Sequence, residues 1–90
     1  MGKVIKRGGR KQAFSSAKIK RSVYKAARET KLSASKIKEL VKDVAEPVIK
    51  LYKNKRTVKS VVLRRSILKR LDRRAKSVSA AWRRFDRKRH

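Results

Sequence analysis

A surplus of 25 positive charges on 90 residues is the strongest constraint on what this chain can fold into, because self-repulsion of that size opposes any compact state. Solubility asks for far less: a small domain is well served by a net charge of about 2 to 8. The 31 Lys and Arg residues against six Asp and Glu therefore imply that something outside the chain cancels the remainder. A nucleic acid suits this load best, since each cation that neutralises a phosphate also releases condensed counterions. An anionic membrane suits it less well, because there is neither a lipidation signal nor a strongly apolar amphipathic helix to act as a second anchor.

An apolar content of 39% is enough for a core, so the chain reads as one folded domain over residues 1–90 rather than a basic tail. Several chemistries lack raw material. There is no Cys, which removes disulfides, thiolate metal sites and a Cys nucleophile. The single His is the terminal His90, so neither a zinc cluster nor a His-based triad is expected. Six scattered carboxylates offer no general acid and base pair. The expectation is a protein that is not an enzyme and takes no metal and no obligatory cofactor. No apolar run approaches the roughly 18 residues of a membrane span, and no signal-peptide core is present, which points to a cytoplasmic location. The single Asn54 and Gln12 fit the avoidance of thermolabile amides in thermophiles.

Residues 3–14 form two short runs divided by Gly8 and Gly9, a hairpin signal, because consecutive glycines accept the positive φ angles of a two-residue type I′ turn. In that register Arg7 faces Arg10 and Lys6 faces Lys11. Facing cations destabilise a ribbon, so their presence suggests an anion at the tip. From Ser15 the period becomes helical. Ile19, Val23, Ala26 and Ala27 predict a helix over 17–30 capped by Ser15 or Ser16. A second helix starts at the Ser33 to Ser35 cap and aligns Ile37, Leu40, Val41, Val44, Val48 and Leu51, with Pro47 expected to kink or divide it. Thr57 reads as the cap of a third helix bearing Val61, Leu68 and Leu71, although the β-branched residues at 58 to 63 leave a strand open there. The last segment, 77–87, aligns Val78, Ala81, Trp82 and Phe85, whose rings read as core anchors rather than base-stacking platforms. The fold class is α+β, mostly α: an N-terminal β-hairpin followed by about four helices.

The charge is unevenly placed. Residues 1–32 carry eleven basic residues and one acidic, residues 33–53 five and three, and residues 54–90 fifteen and two. The nearly neutral middle helix is expected to face away from the polyanion or to pack centrally. Two contact patches follow: Lys6, Arg7, Arg10 and Lys11 at the hairpin tip, and Arg64, Arg65, Arg83, Arg84, Arg87, Lys88 and Arg89 on the last two helices. Their faces hold almost only Lys and Arg rather than the Asn, Gln or Ser that help to discriminate base edges. Backbone binding to double-stranded DNA, as in a chromatin or nucleoid-associated architectural protein, is the first expectation. A ribosomal or other RNA-associated protein is a further alternative.

The order of these elements, with Val4-Ile5-Lys6-Arg7-Gly8-Gly9, Phe14, Lys18-Ile19, Ala26-Ala27, Arg56-Thr57-Val58 and Leu71, resembles the ATP-cone. This is the nucleotide-sensing domain of ribonucleotide reductases and of the repressor controlling their genes. The resemblance spans almost the whole chain, as a stand-alone and highly basic variant with no reductase domain and no Cys-based zinc ribbon. It implies that the hairpin acts as a lid over ATP or dATP, with Val4, Lys6 and Arg7 on the nucleotide, Lys18 on phosphate and Thr57 as a further contact. Gly8 stands where such domains commonly carry Asp or Asn. A nucleotide-responsive module that modulates DNA binding or oligomerisation is thus the second expectation.

Overall fold

The computed structural model describes residues 2–88. Three short strands form a mixed sheet: β1 (Lys3–Ile5), β2 (Lys11–Ala13) and β3 (Thr57–Lys59), in the order β2-β1-β3. β1 and β2 are antiparallel, with Ile5 opposite Lys11, Val4 opposite Gln12 and Lys3 opposite Ala13. β3 returns parallel to β1 after a long excursion through two helices and places Val58 beside Val4.

The hairpin forms, but one residue out of the expected register. Gly9 N–H donates to the Lys6 carbonyl at 3.0 Å, and Gly8 has φ 82° and ψ 4°, the left-handed geometry that the third residue of a type II turn requires. Gly9 follows with φ 85°, and Lys6 N–H then donates to the Arg10 carbonyl at 2.7 Å. The connecting loop of Arg7, Gly8 and Gly9 is therefore one residue longer than a two-residue type I′ loop. Arg7 therefore does not face Arg10, nor Lys6 Lys11; Lys6 lies across from Arg10 instead.

Four helices follow: α1 (Ser16–Arg28), α2 (Ala34–Tyr52), α3 (Ser60–Arg74) and α4 (Lys76–Lys88). The Ser15 hydroxyl accepts the Lys18 N–H at 3.2 Å and the Ser33 hydroxyl accepts the Lys36 N–H at 3.3 Å, each satisfying a first-turn donor that has no partner within its helix. Pro47 does not divide α2, which runs unbroken through it. The proline removes a single donor, the one that the Asp43 carbonyl would otherwise accept. Thr57 is not a cap. It opens β3, because Val58 pairs with Val4 of β1, while Val61 and Val62 of the same β-branched run lie in α3. α3 starts three residues later, at Ser60, with no side-chain cap. Ala75, at φ −156° and ψ 88°, separates α3 from α4, and its carbonyl accepts from Val78 and Ser79 at 3.0 and 3.1 Å.

The helices close into a ring in which α1 packs on α2 and α4, α2 on α3, and α3 on α4. Val23, Val44, Val48, Leu71 and Val78 are fully buried at its centre. Ala26, Ala27 and Ala45 are equally buried, and their small side chains let the α1 and α2 backbones approach closely. Leu51, expected on the apolar face, is 51% exposed, while Ala45 and Ile49 are buried in addition to the expected stripe. Trp82 is 92% buried and Phe85 packs against the same core, so both rings serve as anchors. Among the described residues the Trp82 indole N–H has no hydrogen-bond partner.

Candidate nucleic-acid and nucleotide interface

Side chains alternate across a strand, and the register sorts the sheet into two faces. Val4 and Val58 are buried toward the helices. The opposite face carries Lys3, Ile5, Lys11, Ala13, Thr57 and Lys59, of which only Ile5 is partly covered. Its two rows read Ala13-Lys3-Thr57 and Lys11-Ile5-Lys59, so no lysine stands directly beside another. Lys11 and Lys59 lie two strand spacings apart, about 10 Å. No Asp or Glu occurs in residues 1–28 or 47–71, the segments that contain all three strands. This outer face is therefore uniformly cationic, with Thr57 as its hydroxyl. Lys3 and Lys59 were absent from the sequence-derived patches because residues 57–59 read as the start of a helix, which hides their alignment with β1.

The two ends of the sheet hold different groups. At one end the turn, carrying Lys6 and Arg10, adjoins Lys11, Lys59 and the start of α3. At the other, Phe14 N–H donates to the Gly2 carbonyl and Lys3 N–H to the Arg56 carbonyl, at 3.0 and 2.9 Å. These bonds gather Thr57, Ser15 and the first turn of α1 with its exposed Lys18. A Cβ on Gly2 would collide with the Lys55 carbonyl oxygen, so the chain can pass there only as glycine. Of the residues tied to a nucleotide by resemblance, Lys6 thus lies at the turn end while Thr57 and Lys18 lie at the other, across strands about 7 Å long. Val4 belongs to the buried core between them. The side chains of Arg7, Arg87, Lys88 and Arg89 lie outside the described residues.

The second expected patch divides. Arg65 is exposed on the outer side of α3, whereas Arg64, one helical step around, is half-buried at the core margin. Arg84 is exposed. Arg83 makes a two-pronged bridge to Asp72 on α3, with Nη1 to Oδ1 at 3.1 Å and Nη2 to Oδ2 at 3.0 Å. Hydrogen bonds from Arg83 and then from Ser79 hold the Asp72 carboxyl below its ordinary range, and the same bond raises Arg83. Arg83 thereby ties α4 to α3 while its side chain remains 48% exposed. Three further arginines, Arg70, Arg73 and Arg74, gather with Asp43 in a cleft between α2 and α3. The sequence places them on a basic helical face, but only the α2–α3 packing reveals the cleft.

Among the described residues no group of three His, Cys, Asp or Glu side chains could hold a metal, and no helix is long and apolar enough to cross a membrane. A comparison with curated proteins gives no match. Against protein-family models, the ATP cone domain matches residues 2–89, and with the match covering nearly the whole chain, its hairpin, third strand and helices included, the chain belongs to the ATP cone family.

Proposed function

We propose that this ATP-cone domain binds nucleic acid, with double-stranded DNA as its first partner, through the phosphate backbone and without reading sequence. The observation that carries this reading is the outer face of the sheet. Lys3, Lys11 and Lys59 stand on one sheet face whose strands contribute no Asp or Glu, interleaved so that they do not face one another, and continuous with the turn that bears Lys6 and Arg10. Each phosphate these cations meet releases counterions. Arg65 and Arg84 on the helices supply a second surface, so that one molecule can neutralise and bridge duplex segments in a nucleoid-associated, architectural role. The role is one of binding and regulation rather than catalysis.

A second reading is favoured by the family itself, whose domains sense nucleotides. Here ATP or dATP is held between the glycine turn with Lys6 and the first turn of α1 with Lys18. A helix N-terminus suits phosphate there. Because Val4 is buried in the core, the hairpin has to lift from the helices to admit a base.

The test is direct competition among duplex DNA, single strands and structured RNA over a range of salt. The DNA reading expects duplex to compete best, with a log–log salt slope of roughly 0.9 per phosphate contact and little dependence on sequence. A shallow slope or strong sequence preference refutes it. Saturable change in Trp82 fluorescence on adding ATP at moderate salt supports the nucleotide reading, and no change counts against it.

A further inference from the structure

The cleft between α2 and α3 encloses about 480 Å³ and is lined by Asp43, Pro47, Arg70, Arg73 and Arg74. Two of its three guanidinium groups are already positioned. Arg70 Nη1 donates to the Ser66 carbonyl at 3.2 Å and to the Ser66 hydroxyl at 2.8 Å. Arg74 Nη1 donates to Asp43 Oδ2 at 3.2 Å. A guanidinium has five donors, and these contacts involve one nitrogen on each arginine. With Arg73 and Asp43, these two arginines line a cleft in which three positive charges meet one negative charge.

We propose that this cleft is a binding site for a single phosphate group. The surplus of two charges matches a phosphate dianion, and the planar forks match its oxygens. Holding Arg70 and Arg74 in place beforehand removes part of the ordering that binding would otherwise require. A carboxylate is a poorer occupant. It offers only two oxygens to three forks, and the site already contains the Asp43 carboxylate. Asp43 acts as the internal competitor: it holds Arg74 while the site is empty and sets the affinity for the incoming anion. The phosphate can come from a nucleic-acid backbone or from a free nucleotide. The site stands on its own geometry and does not depend on the duplex DNA reading.

The experiment measures binding of inorganic phosphate to the full chain by calorimetry and by phosphorus NMR. It compares the wild type with Arg70→Gln/Arg73→Gln and with a control of equal charge change on α1, Lys20→Gln/Arg21→Gln. Saturable binding that falls about tenfold or more in the first variant and stays within about twofold in the control is expected, since charge-assisted contacts are the ones removed. Equal loss in both variants, or no saturable binding, overturns the site. Should the double variant fail to fold, Asp43→Asn provides an independent measure: removing the competitor is expected to raise phosphate affinity, and a fall overturns the proposal. Displacement of bound phosphate by duplex DNA identifies the backbone as the source, and displacement by ATP alone identifies a free nucleotide. Displacement by neither overturns it.

Discussion

Replacing Lys3, Lys11 and Lys59 together by Gln tests the outer sheet face without touching the core, because all three side chains are exposed and the core row of Val4 and Val58 lies on the opposite face. If each lysine neutralises one phosphate, the log–log salt slope falls by about 2.7, three times 0.9. Relative to 1 M salt, where such contacts contribute almost nothing, that is about 500-fold in affinity at 0.1 M, or about 4 kcal/mol. The loss shrinks about sixfold with each doubling of salt. The assay is fluorescence anisotropy on a labelled duplex at four or more salt concentrations, with thermal melting to show that the fold is retained. Stability is expected to hold or rise slightly, because removing three like charges relieves self-repulsion. An unchanged slope would refute the face as a contact surface. So would an equal fall for Lys20→Gln/Arg21→Gln/Lys38→Gln, which removes the same charge around the α1–α2 groove, since diffuse charge alone would then explain the binding.

Other expectations concern the fold that supports this surface. Gly2→Ala forces a Cβ against the Lys55 carbonyl and is expected to destabilise by about 1 to 3 kcal/mol, read as a drop in the denaturant midpoint; an unchanged midpoint refutes the close approach. Trp82→Phe removes an indole N–H that is buried without a partner among the described residues and keeps a six-membered ring in the core, so it should cost clearly less than Trp82→Ala, which loses about 3 to 5 kcal/mol. Equal losses would contradict the reading of Trp82 as a space-filling anchor. Asp72 is held below its ordinary carboxyl range in the folded state, so its bridge to Arg83 stabilises above the unfolded value of about 3.9 and is lost as pH falls through the lower folded value. Asp72→Asn should flatten the stability profile in that acid window alone, and an effect persisting only above neutrality would contradict the assignment.

Helices were easier to read from this sequence than strands. Ser15 and Ser33 cap the helices they were expected to cap, and Ile19, Val23, Ala26 and Ala27 are the buried side of α1, because periodicity and capping are local properties of the chain. The parallel strand β3 depends on β1, some fifty residues earlier, and three residues give no alternation long enough to register. Val58 looks the same in a strand and in a helix. The hairpin register differs for a related reason: Gly8 and Gly9 both take positive φ as expected, but loops of two and of three residues both accept two glycines, so the glycine pair alone does not choose between them.

The same long-range contacts decide which cations can act together. Read along the chain, Lys3 and Lys59 belong to different segments, and Arg70, Arg73 and Arg74 are an ordinary basic helical stripe. The parallel pairing puts Lys59 two strands from Lys11, and the α2–α3 contact brings Asp43 onto Arg74. α2, close to neutral as a segment and expected to face away from the polyanion or to pack centrally, buries one side in the core and supplies the acid that orients an arginine. Its three acidic residues are half of those in the chain, and Asp43 is placed where a carboxylate sets how strongly a cluster of guanidinium groups holds phosphate. The charge of this domain is therefore better described as separate sites with different tuning than as one cationic coat. On the sheet face, the proposed affinity rests on lysines whose strands carry no Asp or Glu, and it should vary steeply with salt. In the arginine cleft an internal anion competes for the same donors, and affinity depends on how readily Asp43 yields them.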